Sequence, residues 1–174
     1  GIQWDLMLKF IEEKEVENAK DTEKEATRTN IKNALRSTSK YNNKYIGNYI
    51  NADLILNRGK FGQYGVLSTW YKFDSIDKTN LVTGSKKLSQ SSIENAILLT
   101  TGASDETKLQ NIYDIAGNVW EWTLEFYFYY ASSPCTYRGG GYHHNVSTYP
   151  ASGRNSNGTR YSHSNIGFRV GLWK

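Results

Sequence analysis

Asn111-Ile112-Tyr113-Asp114-Ile115-Ala116-Gly117-Asn118-Val119-Trp120-Glu121-Trp122-Thr123-Leu124 is the stretch on which the reading of this chain turns. Val119, Glu121 and Thr123 alternate with Trp120, Trp122 and Leu124, a period of two that sends successive side chains to opposite faces of a strand. Gly117-Asn118 supplies the turn into that strand. The two tryptophans read as packing, and make this the strongest core signal in the sequence. Downstream, Arg138-Gly139-Gly140, Pro150-Ala151-Ser152, Arg154 and Gly167-Phe168-Arg169 are spaced like structural punctuation. Residues 166–173 alternate again and predict a closing strand. Arg138 and Arg169 are expected to pair with carboxylates, Glu121 and Asp114 being the natural partners.

Upstream, Trp4, Leu8 and Ile11 fall at i, i+4, i+7 spacing, with Met7 and Phe10 widening the stripe, so residues 4–20 predict an amphipathic helix with a Glu/Lys outer face. Residues 21–52 are polar and predict short helical or turn segments. Gly59, Gly62 and Gly65 predict loop and turn over 59–71, and the Lys-Ser/Thr end of a phosphate loop is missing there. Residues 93–101 predict a strand or a short buried helix, and 102–105 a turn. No repeat or linker divides the 174 residues, which form one domain by size.

Residues 126–165 are written in a restricted alphabet. Between the punctuation sit Tyr, His, Asn, Ser, Thr and Gly in no periodic order, and these forty residues contain no Lys, Glu, Gln, Met or Trp. The chain as a whole has 34 residues of those five kinds, so a proportional share would be about eight. Tyr, Ser, Asn and Gly are the residues of adaptable contact surfaces. The same restriction results when Asn codons are randomised at their adenines, whose products include Asn, Tyr, His, Asp, Ser, Thr, Gly, Val and Phe but never Lys, Glu, Gln, Met or Trp.

Bulk properties narrow the function. Net charge is +4 with the cations scattered, which argues against nucleic acid as a partner. Mean hydropathy is −0.65 and no apolar run approaches the ~18 residues of a span, so no membrane insertion is expected. Gly1-Ile2-Gln3-Trp4-Asp5 reads as structured sequence rather than a secretory leader. Cys135 is the single cysteine. An internal disulfide and a cysteine zinc cluster are therefore excluded, and the residue reads as a small hydrophobe.

The Gly-Asn-x-Trp-Glu-Trp string, followed by Arg138-Gly139-Gly140 and Gly167-Phe168-Arg169-Val170, resembles the closing half of the formylglycine-generating-enzyme-like domain. The likeness is close over 110–174 and loose over 4–20. It implies an α+β, C-type lectin fold with much irregular structure, and N-terminal strands upstream of Gly1. Within that family the frame resembles the variable proteins of diversity-generating retroelements, which display randomised residues on a C-type lectin scaffold. The enzymes' own chemistry is not matched: where they carry a cysteine pair after the Gly-Gly motif, this chain has Tyr142, His143, His144 and Asn145. The resemblance also implies a calcium site built from the side-chain oxygens of Asp114 and Glu121 and the carbonyl oxygens of Gly117 and Val119. No other cofactor is required.

The sequence therefore predicts a binding protein rather than an enzyme. Its site is a surface over 126–165. Tyr127, Phe128, Tyr129, Tyr130, Tyr137, Tyr142, Tyr149 and Tyr161 are its aromatic anchors, and His143, His144, Asn145, Asn155, Asn157 and His163 its polar contacts. His143 and His144, read as neighbours on a strand, would point to opposite faces and not share a metal. The partner is a protein or glycan ligand on a host or neighbouring cell surface. The setting is a phage virion or a bacterial cell surface, or secretion. Two alternatives are an incomplete metal-dependent oxidoreductase of the formylglycine-generating type and a calcium-dependent lectin.

Overall fold

In a computed structural model of the chain, the described residues are 1–38, 40–42, 44–50, 52–56, 59–63, 70–72, 85–86, 93 and 96–170. Helix α1 (Ile2–Glu17) buries Trp4, Ile11 and Val16. Met7 and Leu8 pack against the core from its flank. Phe10 does not widen that stripe. It lies with Ile2 and Leu6 on the outer face, all three exposed at i, i+4, i+8. Across the polar stretch 21–52 the chain forms a 3₁₀ turn at Asp21–Glu23 and then a full helix, α2 (Lys24–Ser37). Its buried set is only Ile31, Ala34 and Leu35, too sparse a stripe to stand out among Thr, Asn, Lys and Arg. Arg28 ties the two helices by donating to Glu12 at 2.9 Å and to Glu13 at 3.1 Å.

The strands are short. β1 (Gly47–Asn48), β2 (Lys60–Gln63), β3 (Ile97–Leu99) and β4 (Ala116–Gly117) precede the long strand β5 (Trp120–Phe126). β6 (Cys135–Arg138), β7 (Arg154–Asn157) and β8 (Ile166–Gly167) follow it. β2 lies between Tyr71–Lys72 and β3, antiparallel to both, so the first part of the Gly59–Tyr71 stretch is strand; residues 64–69 lie outside the described set. β1 and β4 run parallel, with Gly47 opposite Ala116. A Cβ on Gly47 would fall 1.5 Å from the Ala116 carbonyl oxygen, so only glycine lets these backbones meet.

The four-stranded sheet has the order β7-β6-β5-β8. β5 and β6 are antiparallel with a register irregularity between Trp122 and Phe126. β8 returns parallel to the start of β5. The predicted closing strand is thus shorter than its alternation suggests. The ladder stops at Gly167 and Phe168 and Val170 stand exposed with no packing to extend it, while 171–174 lie outside the described residues.

The main core joins Ile11, Ile31, Ala34 and Leu35 of the helices to Tyr41, Ile46, Tyr49, Leu109, Ile115 and Ala116. Val146 and Ala151, from the restricted-alphabet segment, belong to that same cluster. The Trp4 indole N–H donates to the Ala151 carbonyl at 2.9 Å, 147 residues away. The segment is therefore anchored from within as well as flanked by strands.

Candidate functional site

Arg169 braces the decisive loop. Its Nε donates to Glu121 Oε2 at 2.9 Å and its Nη2 to Oε1 at 2.7 Å, while Nη1 and Nη2 reach the carbonyls of Tyr113 at 3.0 Å and Asp114 at 2.8 Å. A planar fork suits this task, since it matches a carboxylate edge and still has N–H groups for carbonyls. The expected partnership of Arg169 with Glu121 is present. Arg138 behaves differently. It is fully buried, yet its partners are the Asp5 carboxylate on α1 and the Ser152 carbonyl at 3.2 Å, not Glu121 or Asp114. The ladder sets Arg138 opposite Glu121 and so on the same face of the sheet, but Arg169 already holds both Glu121 oxygens and Asp5 reaches Arg138 from α1.

Asp114 turns the backbone at φ 46 and accepts the Gly102 N–H on Oδ2 at 3.1 Å. Its other oxygen, Oδ1, is buried without a hydrogen-bond partner, and burial pushes its carboxyl up to about 6. That orphan oxygen invites a cation, but Glu121 is already committed on both oxygens to Arg169. The guanidinium supplies the positive charge the loop needs. Asp114, Glu121, Gly117 and Val119, as arranged, do not fit the calcium ion that the family resemblance implies. Among the described residues no three His, Cys, Asp or Glu side chains gather as a metal would need.

The predicted contact residues separate into a floor and a surface. Tyr142 is 0 % and Tyr137 is 7 % exposed, so neither offers its ring to a ligand. Tyr142 packs with Ala96 and Leu98. Tyr137 stands edge-on to Trp120 and Trp122, with ring centres 5.0 and 5.1 Å away. The reason is register: Tyr137 lies directly opposite Trp122 across the β5–β6 ladder, so the pleat sends it to the Trp face. These two tyrosines are scaffold.

The remaining twelve stay at least partly open to solvent. Tyr127, Tyr149, His143, His144 and Asn157 are half-buried; Phe128, Tyr129, Tyr130, Asn145, Asn155, Tyr161 and His163 are exposed. Asn155 and Asn157 ride on β7 opposite Tyr137 and Cys135. Tyr161 and His163 lie parallel, 6.1 Å apart. His143 and His144 sit in a turn rather than a strand, and their rings come within 4.0 Å instead of pointing apart. The His144 ring also rests against Trp120 and Tyr149, and its Nδ1 accepts the Gly141 N–H at 3.1 Å. Burial, with the neighbouring His143 charge, holds His144 down at about 4, and burial lowers His143 too. Both are neutral at pH 7, as hydrogen-bonding groups rather than charges.

Leu124, Phe126, Phe168 and Val170 are exposed apolar side chains beyond those the sequence singles out. The signal for Leu124 and Phe126 lay in the strand alternation, but the irregularity after Trp122 breaks it. Gly1, Ile2, Gln3, Asp5, Leu124, Glu125, Phe126 and Arg154 line a groove of about 540 Å³. It adjoins the predicted surface without containing any of its predicted residues.

The described residues thus form two helices, a mixed sheet with a parallel return strand, an Arg-braced Gly-Asn-Val-Trp-Glu-Trp segment and a turn-rich outer segment. Residues 58–172 match the family model of the sulfatase-modifying factor enzyme 1-like domain. The chain belongs to that family. No curated protein and no solved structure matches it.

Proposed function

We propose that this chain is a ligand-binding protein that carries exchangeable contact residues on a C-type lectin scaffold, in the manner of the variable proteins of diversity-generating retroelements. One observation carries the reading: in the segment with the restricted alphabet every predicted contact residue except Tyr137 and Tyr142 remains at least partly open to solvent, while Thr136, Arg138, Val146 and Ala151 are buried beneath them. Such a division lets side chains change with little effect on packing. Ligand recognition at a phage or bacterial surface is the setting this reading favours.

Family membership keeps an oxidoreductase in view as a second reading. A copper–thiolate site needs two thiolates, and this chain's residues supply one cysteine, half-buried on β6. A calcium-dependent lectin meets the same obstacle as the metal loop above, since Glu121 is held by Arg169. The test is genomic. A neighbouring reverse-transcriptase gene and a near-copy of the DNA for 126–169, differing at adenines of the variable codons, supports the proposal. A locus without either overturns the diversification.

A further inference from the structure

The end of the β5–β6 hairpin is built unlike the rest of the surface. Phe126, Phe128, Tyr129 and Tyr130 are 62–70 % exposed, and Leu124 beside them is more so. The rings are nevertheless ordered against one another. Phe128 and Tyr129 have centres 4.2 Å apart, and Tyr127 lies 5.5 Å from Tyr129 and stacks on Tyr130 at 5.8 Å. The turn beneath is closed by the Tyr127 N–H to the Pro134 carbonyl at 2.8 Å and the Ser133 N–H to the Tyr130 carbonyl at 2.9 Å. Ring-on-ring contact and a fixed turn remove much of the rotamer freedom that binding would otherwise have to freeze.

The area is large. Aromatic side chains bury roughly 150–250 Å² each, so four rings exposed to this degree present on the order of 500 Å². That approaches the ~800 Å² one partner contributes to a standard interface, and sits at the upper end of patches on ordinary monomers.

The charge pattern selects the partner. No Asp or Glu occurs after Glu125. Arg138 and Arg154 are engaged by Asp5 and Glu125, and Arg169 by Glu121. Among the described residues after Glu125, Arg160 is the exposed cation left without an ion pair. It stands two residues beyond Gly158, where an added Cβ would lie 3.2 Å from the Ser132 carbonyl of the tip. A sugar presents hydroxyl groups on every edge and calls for hydrogen-bonding side chains set around the ring it stacks on. Phe126 and Phe128 carry no polar atom, and no carboxylate follows them.

We infer that the 126–130 tip is an apolar anchor for a protein partner, one that offers a groove lined with aliphatic or aromatic side chains and a carboxylate at its rim for Arg160. This rests on the ligand-binding reading above and names the partner's chemistry for it. Affinity comes from desolvating the rings, and the carboxylate contact adds selectivity.

The test uses the whole chain against a displayed random-peptide library and a glycan array, each with calcium and with a chelator. Enriched peptides are expected to carry aromatic or aliphatic residues with at least one Asp or Glu. Synthesised, they should bind equally in both conditions and lose at least tenfold affinity to Phe128→Ser/Tyr129→Ser. Arg160→Ser should lose a few-fold and flatten the salt dependence. An unchanged melting temperature certifies that the variants fold. Peptides that ignore the tip substitutions but fail on Asn155→Ser/His163→Ser overturn the anchor and leave the binding surface standing. Peptides indifferent to both pairs overturn the surface as well. Glycan binding competed by free monosaccharide overturns the choice of a protein partner.

Discussion

Arg169 and Glu121 form a forked ion pair across 48 residues, with N–O distances of 2.7–3.2 Å, and the same guanidinium closes the backbone of Tyr113 and Asp114. Glu121 is buried and Arg169 largely so. The pair fastens the return strand to the loop that precedes the longest strand. Breaking a buried pair leaves an uncompensated charge, at a cost of about 3–5 kcal/mol. Arg169→Met should therefore lower unfolding free energy by about 3 kcal/mol in urea, at the low end because the arginine retains some solvent. Arg169→Lys should recover less than half, because an ammonium cannot fork.

The same geometry decides a metal question. A ligand that binds only the native state raises its melting temperature by mass action. With the guanidinium on both Glu121 oxygens, adding millimolar calcium or a chelator should leave the melting temperature of the native sequence unchanged. A calcium-dependent rise of several degrees would mean that the loop exchanges its arginine for a metal.

The split between floor and surface predicts two populations of tyrosine mutants. Tyr129→Ser and Tyr161→Ser remove exposed rings and should change stability by no more than about 0.5 kcal/mol. Tyr142→Ala and Tyr137→Ala empty sites in the core and should cost about 3–5 kcal/mol. Equal effects across the four would remove the distinction between scaffold and contact.

That split also marks where sequence reading stops. The stretch from Asn111 to Leu124, its turn at Gly117-Asn118, helix α1 and the Arg169–Glu121 pair were legible, because each rests on local periodicity or on a charged residue in need of a partner; the apolar run holding β3 left strand and short buried helix both open. Tyr137 and Tyr142 were not separable from Tyr129 by type. Their burial follows from cross-strand register and from the turn after Gly140, which are tertiary facts. Helix α2 was hidden because three apolar residues suffice to seat it on α1. Arg138's partner lay 133 residues away on a helix, beyond any local pattern.

Asn118 tests how much the loop depends on side-chain hydrogen bonds. Its Oδ1 accepts the Leu99 N–H at 2.9 Å and Asn48 Nδ2 at 3.2 Å, and its Nδ2 donates to the Leu99 carbonyl at 2.8 Å. It is buried, and its φ of 54 is a region Asn tolerates well. Asn118→Ala strands the Leu99 N–H and carbonyl and removes one of the Asn48 amide's acceptors, leaving it the Ile97 carbonyl, and each orphaned group costs about 1–3 kcal/mol. The variant should fail to fold or lose more than about 3 kcal/mol. Asn118→Asp keeps the acceptor and should lose the donor half alone, apart from the charge it buries.

His144 gives the pH dependence a sign. Its Nδ1 accepts the Gly141 N–H, so the neutral ring carries its proton on Nε2, and a second proton on Nδ1 would meet that N–H head-on. Burial holds the folded value near 4, while an unfolded histidine titrates near ~6.5. Between these values the unfolded chain takes up a proton that the native state refuses, so stability is full above pH ~6.5 and falls as pH drops toward 4. Asp114 works the opposite way. Its folded value of about 6 lies above the unfolded ~3.9, so its protonation favours the native state over much of the same window. The wild-type curve alone therefore mixes two effects of opposite sign. His144→Asn separates them, since an amide oxygen can accept the Gly141 N–H and does not titrate. Wild type minus variant, measured by urea unfolding at successive pH values, should be flat above pH ~6.5, decline down to about 4, and level off below it. A difference that stays flat throughout would show that His144 titrates alike in both states and that its ring is not sheltered by Trp120 and Tyr149.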